Sequence, residues 1–321
     1  MNRLTKLGIA LLIFAGAVLS ASAQSADAAY QRSLEKWKSD LVENRKQNWL
    51  TLAGLFWLKP GQNTFGADAG NAMVLPKGAP AWAGEFDLWD GQVRVKLSPG
   101  VRATIAGKTI VGEPYRGKMV RGRLPGGKAD VEGILLQSDT SGNPTVVELG
   151  SLRLLVIVRG ARTGIRVKDM ESPAVRKYEG PVFYPVNPAY RITARFVAAA
   201  EKRTVMVPDV LGDVTPTPVT GEAVFDLAGK EYRLSDLGGD ASKSLFFVFS
   251  DLTSKTETYP SGRFLYSGPV ENGKVVLDFN RAYNPPCSLT RFATCPLPPK
   301  ENRLAVAIPA GEKYDRRHGH H

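Results

Sequence analysis

The polar residues best suited to chemistry gather around two cysteines near the C-terminal end of this chain. They are two arginines, an aspartate, a tyrosine and three asparagines: Arg263, Asp278, Asn280, Arg281, Tyr283, Asn284 and Asn302. Arginine forks suit carboxylate or phosphate ligands, and a carboxylate such as Asp278 can act as a general base. This set is the candidate ligand-binding site. The competing interpretation is that these groups only satisfy the loop that carries them.

The two cysteines, Cys287 and Cys295, lie eight residues apart in a segment that also contains five prolines. Two cysteines in an exported protein most simply form one disulfide, and a proline-rich loop can fold back to bring them together. A redox-active pair or a nucleophilic cysteine is the alternative. The absence of a C-x-x-C motif and of a nearby histidine favours the structural disulfide.

Histidine usage excludes several reaction classes. All three histidines fall at positions 318, 320 and 321, so the rest of the chain offers none for a Ser-His-Asp, Cys-His or histidine-zinc site. The G-x-x-x-x-G-K spacing at 112–118 is interrupted by Pro114 and followed by Met119, where a phosphate loop needs Ser or Thr. We therefore expect no metal and no cofactor, and no catalytic residue is identified.

The N-terminal segment has the organisation of a secretory signal. Two cations, Arg3 and Lys6, precede an apolar run from Leu7 to Leu19, and Ala21-Ser22-Ala23 fits a cleavage site. The apolar run is short for a membrane-spanning helix, which needs about 20 residues. The pattern predicts cleavage after Ala23, no transmembrane anchor afterwards, and a periplasmic or extracellular protein.

The charge balance indicates anionic partners. The full chain carries a formal charge of +11, and without the two cations of the signal 40 Lys and Arg oppose 31 Asp and Glu, which leaves +9. Such a balance favours a small anionic ligand or a cell-envelope component, although scattered surface cations serve solubility equally well. Export and the lack of a recognition motif argue against nucleic acid. Nothing in the sequence indicates the oligomeric state.

Hydrophobic periodicity predicts a mainly β protein: an N-terminal helix followed by two β-rich domains, each a sandwich or a barrel. Apolar residues at helical spacing place the helix over 27–48, and prolines place a connector near the middle of the chain. The predicted division is a signal peptide at 1–23, the N-terminal helix at 24–49, a β-sandwich-like domain at 50–170, a connector at 171–189, a C-terminal β domain at 190–315 and a disordered tail at 316–321.

Three strand patterns are expected to position the candidate site. Asn272-Gly273 is a strong hairpin signal, which predicts that 263–266 and 275–279 are antiparallel neighbours and that Arg263 faces the region of Asp278 or Asn280. Alternating apolar residues predict a further strand from Leu304 to Ile308. In the first half, 152–158 is almost entirely apolar, so that strand should be covered on both faces.

Four stretches that lie between residues 49 and 313 read WLTLAGLFWLKPGQNTFG, YPVNPAYRITARF, TYPSGRFLY and DFNRAYNPPCSLTRFATCPLPPKENRLAVAIPAGEK. They resemble the DUF1684 family of bacterial and archaeal proteins. The last stretch, residues 278–313, is called the C-terminal block below. The function of that family is unknown, so the resemblance supplies no catalytic residue.

Three functions fit these patterns. The first is an exported protein that binds a small anionic or envelope-derived ligand at the C-terminal block, near Arg263, Asp278 and Arg281. The second is a histidine-independent hydrolase or lyase with Asp278 as general base and Arg281 or Tyr283 stabilising charge. The third is a structural envelope protein without a ligand site.

Overall fold

The computed structural model describes residues 27–113 and 133–315, without the side chain of Lys202. The predicted signal peptide, the tail at 316–321 and most of the G-x-x-x-x-G-K segment lie outside the described residues. Helix α1 spans 27–48, as its periodicity predicted. The chain divides into two compact units, the second of which begins at Lys46. None of the helices in the described ranges is long and apolar enough to cross a membrane.

The strands before residue 170 form two sheets around one apolar core. The six-stranded sheet, in spatial order, contains β1 (Leu52–Trp57), β11 (Arg162–Asp169), β10 (Leu152–Arg159), β9 (Val146–Leu149), β6 (Arg102–Ile105) and β7 (Lys108–Val111). The five-stranded sheet contains β3 (Met73–Val74), β2 (Gly61–Gly66), β4 (Gly84–Trp89), β5 (Gln92–Leu97) and β8 (Ile134–Leu136). Their shared core includes Phe65, Phe86, Leu154, Ile165 and Val167.

The strands after residue 190 form two more sheets around a second core. One sheet contains, in spatial order, β14 (Lys230–Ser235), β13 (Val214–Leu227), β12 (Arg191–Pro208) and β18 (Lys274–Asp278). The other contains β15 (Gly239–Asp240), β16 (Ser244–Phe249) and β17 (Arg263–Tyr266). This core includes Phe225, Phe247, Phe249, Leu277 and Phe279.

The mainly β fold class is confirmed: a helix is followed by several sheets in which nearly all pairings are antiparallel. Between the two groups of strands lie a short helix, α2 (Pro173–Lys177), and a 3-10 turn at Pro188–Tyr190. The backbone of this proline-rich segment still bonds to the C-terminal end of the chain. Tyr184 N donates to the Gly311 carbonyl, and Lys313 N donates to the Val182 carbonyl.

The predicted pairing of 263–266 with 275–279 is wrong. The tight turn exists, with Asn272 and Gly273 at φ 50° and 70°, as a type I′ hairpin turn requires. The backbone pairing that flanks this turn, however, is limited to a single bridge between Glu271 and Lys274. Beyond it, β18 pairs with β12 and β17 pairs with β16, so the two strands belong to different sheets.

The predicted strand from Leu304 to Ile308 is absent, although its alternating burial is present. Leu304 and Ile308 are buried and the residues between them are more exposed. The segment runs extended across the end of β16, where Leu304 N donates to the Ser250 carbonyl. The Ile308 carbonyl accepts from the side chain of Arg263 instead of from a neighbouring strand. The Arg263 guanidinium therefore replaces the backbone N–H group that a neighbouring strand would have donated.

The expectation that 152–158 is covered on both faces is confirmed. Leu154 and Val156 point into the first core, and Ile157, on the opposite face of β10, is fully buried as well. Leu52 of β1 packs against a small apolar cluster of the second half, formed by Val248, Phe264, Ala293 and Cys295. The outer face of the first half is thus packed against the second half, and the loop that carries the cysteines lies at that junction.

Candidate functional site

Cys287 and Cys295 form a disulfide, with their Cα atoms 6.3 Å apart. The bridge closes the disulfide loop, residues 287–295, and two outside contacts hold it in place. The Tyr259 hydroxyl donates to the Cys287 carbonyl over 3.1 Å. Val210 N, at the tip of the β12–β13 hairpin, donates to the Cys295 carbonyl over 3.1 Å. The loop is therefore a fixed part of the second half.

Removing the disulfide with the double variant Cys287→Ser/Cys295→Ser is expected to lower the free energy of unfolding by about 2.5 kcal/mol. The reason is the loop-closure entropy that a bridge across so short a loop takes from the unfolded chain. Urea unfolding of the variant and of the parent protein, each with and without reductant, measures the difference. The variant should match the reduced parent, and a variant as stable as the oxidised parent contradicts the prediction.

Arg263 is fully buried, and its partner is Asp251. Both side chains are 0 % exposed. Arg263 Nη2 donates to Asp251 Oδ2 and, over 3.0 Å, to the Ile308 carbonyl, while Nη1 donates to the Ala310 carbonyl. Asp251 Oδ1 in turn accepts from the amide and hydroxyl of Thr253. Arg263 therefore joins β17 to the C-terminal segment inside the core, and its ion-pair partner is Asp251 instead of Asp278.

Asp278, Asn280 and Arg281 form a compact local group at the end of β18. Asp278 is nearly buried and accepts from Asn280 N, Asn280 Nδ2 and Arg281 Nε, each over 3.2 Å. The Asn280 amide also bonds the amide and carbonyl of Asn187 over 3.0 Å each. This group caps a turn and ties it to the segment before β12.

The other three predicted residues bind backbone or aromatic groups of the protein itself. Asn302 is fully buried and bridges β14 to β16, as it bonds Ser235 N, Ser235 O and Val248 O over 2.8–3.0 Å. The Asn284 amide donates to the Lys313 carbonyl. Tyr283 stacks on Trp49 with a centroid distance of 6.2 Å. Arg263 and Asn302 thus make structural contacts of their own, separate from the group that Asp278, Asn280 and Arg281 form.

A second set of polar residues lies on the outer face of β10 and β11, beside the disulfide loop. The strand register places Arg159 opposite Arg162, and Arg166 and Lys168 follow on the same face of β11. Ile165 and Val167 point the other way, into the first core. We call Arg159, Arg162, Arg166 and Lys168 the basic face.

Thr294, in the disulfide loop, contacts the basic face although it lies 128 residues beyond Arg166. Its hydroxyl oxygen accepts from Arg159 Nε over 3.1 Å and from Arg166 Nη2 over 3.4 Å. A hydroxyl that accepts two bonds still has its own proton to donate. Two guanidinium groups and one hydroxyl thus converge from both halves of the second unit.

Two cations of the basic face, Arg166 and Lys168, lack an acidic partner among the described residues. Arg159 pairs with Asp139 over 2.6 Å and Arg162 with Asp213 over 3.0 Å. Arg166 bonds only Thr294, and its Nε is buried without an acceptor. Lys168 bonds only the neutral side-chain oxygen of Asn48, over 3.0 Å. Within the ranges that the structure covers, two positive charges are therefore uncompensated.

The electrostatic cost of this arrangement is visible in the pKa of both groups. Burial lowers the pKa of Arg166, and the neighbouring Arg159 lowers it further while Asp139 acts in the opposite direction. Burial also lowers the pKa of Lys168, and Arg166 adds to the effect. Both shifts mean that the surroundings favour the charged forms less than water does. An anion at this position would relieve that cost.

Sequence reasoning missed the basic face, although part of its signal was present. Alternation in β11 sets Arg162, Arg166 and Lys168 opposite Ile165 and Val167, and the all-apolar neighbour strand indicated that this face is covered. The covering residue, Thr294, could not be identified, because period-2 alternation assigns a side chain to a face and says nothing about what packs there.

A cavity of about 450 Å³ lies elsewhere, beside a bulge in β12. The strand register jumps from Ala198 to Arg203 at that point, and the lining includes three consecutive alanines, Ala198–Ala200, and Glu222. Glu222 already accepts from Arg203 over 2.6 Å and from Ser235 over 3.2 Å. Glu222 at this cavity is therefore already paired, unlike Arg166 and Lys168 of the basic face.

Metal-binding groups are not found in the described part of the chain, where no three His, Cys, Asp or Glu side chains are arranged to hold an ion.

Comparison with known proteins gives one family match: the model of DUF1684, described as a protein of unknown function, matches residues 176–313. No curated protein matches the sequence. Among solved structures, an uncharacterized protein from Haloarcula marismortui, determined in solution by NMR, is 30% identical. That match covers 46% of this chain and 83% of that chain, with a TM-score of 0.38.

Proposed function

This chain belongs to the DUF1684 family, whose function is unknown, and we propose that it binds a small anionic ligand outside the cytoplasm. The ligand class is the one that the charge balance of the sequence favours. The binding groups proposed are Arg166, Lys168 and Thr294, where the disulfide loop of the C-terminal block meets the basic face. The disulfide and the signal pattern at 1–23 support the exported location.

One observation carries this proposal: Arg166 is partly buried, bonds the neutral Thr294 hydroxyl and forms an ion pair with no described carboxylate. A cation held in this way costs free energy, and proteins rarely bury one without a partner or a purpose. A bound anion would take donors from the Arg166 guanidinium, the Lys168 ammonium and the Thr294 hydroxyl. Charge-assisted hydrogen bonds of this kind are about twice as strong as neutral ones.

Catalysis by Asp278 is less well supported. Its carboxylate accepts hydrogen bonds from Asn280 and Arg281, and these contacts give it a structural role in the turn that follows β18. Arg263 and Asn302, which sequence analysis had grouped with Asp278, are fully buried and bonded elsewhere. The structural interpretation of the C-terminal block fits these contacts, and it becomes the conclusion for the whole protein if no anion binds.

A thermal-shift titration of the mature protein with sulfate, glycerol phosphate, citrate and acetate tests the proposal. An anion at 100 times its dissociation constant is expected to stabilise the folded state by about 2.7 kcal/mol. The variants Arg166→Gln and Lys168→Gln each remove one charge-assisted contact, and we expect each to weaken affinity by about tenfold or more. Calorimetric titration of each variant gives the affinity directly.

Arg195→Gln is the matched control, since it removes the same charge from an exposed site on β12, where the guanidinium is 59 % exposed. It should leave the affinity unchanged. Without ligand, Arg166→Gln should unfold at the same temperature as the parent or higher, because the lowered pKa means that folding disfavours the charged guanidinium. A structural role predicts the reverse. Equal loss of affinity in Arg195→Gln, or no anion binding at all, overturns the proposal.

A further inference from the structure

The charges around the basic face define the anion that would fit it. Two of its four cations are already neutralised, Arg159 by Asp139 and Arg162 by Asp213. The remaining two, Arg166 and Lys168, are separated by one residue on the same strand face. Alternate residues of a strand are about 6.6–6.8 Å apart along the chain, which places both side chains within reach of a single small group. The uncompensated charge is therefore +2 among the described residues.

The donors also approach from different directions. The side chains of Arg166 and Lys168 extend from one face of β11, while the Thr294 hydroxyl belongs to the disulfide loop, which packs on that face from the second half. A planar carboxylate has two oxygens in one plane and suits a single guanidinium fork. A tetrahedral group presents three oxygens in three directions, and it can meet the guanidinium, the ammonium and the hydroxyl together.

We infer that the ligand is a phosphate monoester, bound as its dianion between Arg166, Lys168 and Thr294. This inference rests on the proposed function and adds the chemical class of the ligand to it. A doubly charged tetrahedral group matches both the two uncompensated cations and the arrangement of the donors. The phosphate can come from a soluble metabolite or from a lipid headgroup, since the two share the recognised chemistry.

The ionisation of a phosphate monoester provides the test. Its second pKa lies near 6, so the dianion fraction rises about tenfold between pH 5 and pH 7. The affinity for glycerol phosphate should therefore rise about tenfold over that interval. Sulfate, which is a dianion throughout, should bind equally well at both values, and acetate should bind weakly at both. Calorimetric titrations of the mature protein at the two pH values give these affinities.

The sulfate series separates titration of the ligand from titration of the protein. The charged groups on and beside the basic face are the four cations with their carboxylates Asp139 and Asp213, and Arg153 with Glu148 on the neighbouring strands. Sulfate keeps the same charge from pH 5 to pH 7, so a change in its affinity over that interval can come only from the protein. The sulfate measurement reports any residual titration of the protein directly.

Vesicles distinguish the two sources of the phosphate. Phosphatidic acid offers a monoester and phosphatidylglycerol a singly charged diester. Preference for phosphatidic acid vesicles, lost in Arg166→Gln/Lys168→Gln, supports the inference with a lipid source. Tight binding of glycerol phosphate with no vesicle binding supports it with a soluble source.

Two results would overturn the inference, and they differ from failure of the proposed function. The first is an affinity for glycerol phosphate that does not change between pH 5 and pH 7. The second is acetate or citrate binding as tightly as glycerol phosphate. Either result, combined with lost affinity in Arg166→Gln, leaves an anion site of another class. If no anion stabilises the parent protein, both proposals fail together.

Discussion

Replacing Arg263 by methionine is expected to lower the free energy of unfolding by about 3–5 kcal/mol. The substitution removes the cation that pairs with Asp251 while both side chains are sealed from solvent. Asp251 would then be a buried carboxylate whose Oδ2 has lost its partner. The Ala310 carbonyl would lose its arginine donor, and the Ile308 carbonyl would keep only the bond from Ala310 N. Urea unfolding followed by circular dichroism measures the change.

Two further variants separate the buried charge from general damage to the core. The control Arg195→Met removes an exposed arginine, paired with Glu231 over 3.6 Å, and should change stability by no more than about 1 kcal/mol. The double variant Asp251→Asn/Arg263→Met should be more stable than Arg263→Met, because a neutral amide is cheaper to bury than a carboxylate. If Arg263→Met behaves like Arg195→Met, the buried pair does not stabilise the fold.

Replacing Asn302 by alanine should cost about 3 kcal/mol or more. The side chain satisfies three buried backbone groups, the amide and carbonyl of Ser235 and the carbonyl of Val248. Alanine would leave all three without a partner, and each such group costs about 1–3 kcal/mol. Because those groups belong to β14 and β16, the loss weakens the link between the two sheets of the second half.

The matched control is Asn143→Ala, which makes the same substitution at an exposed position in the first half. It is expected to change stability by less than about 0.5 kcal/mol. Asn302→Asp supplies a second comparison, since it keeps an acceptor for Ser235 N but turns a carboxylate toward two carbonyls. It should be at least as unstable as Asn302→Ala. An Asn302→Ala protein as stable as Asn143→Ala would contradict the bridging role.

These two expectations distinguish structural polar residues from the proposed binding residues. Arg263 and Asn302 are buried inside the second half, and their loss should reduce stability. Arg166 lies under Thr294 with an uncompensated charge, and its loss should reduce anion affinity without reducing stability. The predicted contrast between stability and affinity is what separates a structural residue from a binding residue in this protein.

Local patterns in the sequence were sufficient for the fold class, for helix α1 and for the strands at 152–158, 263–266 and 275–279. Each of these depends on residues within one turn or one strand, so periodicity and turn chemistry specify it. The hairpin turn at Asn272-Gly273 and the disulfide between Cys287 and Cys295 are local for the same reason. A loop of eight peptide units has few ways to place its two ends.

Pairing between distant segments was decided by the tertiary structure. The hairpin signal at Asn272-Gly273 favoured the region of Asp278 as the neighbour of Arg263, yet Arg263 pairs with Asp251 because β17 lies against β16 and not against β18. Alternation in β11 places Arg166 on one face of the strand, but it does not predict the contact that Thr294 makes with Arg166. Alternation determines which face a side chain occupies, whereas the element that covers this face depends on packing between the two halves. No local pattern encodes that choice, and the candidate binding site depends on it.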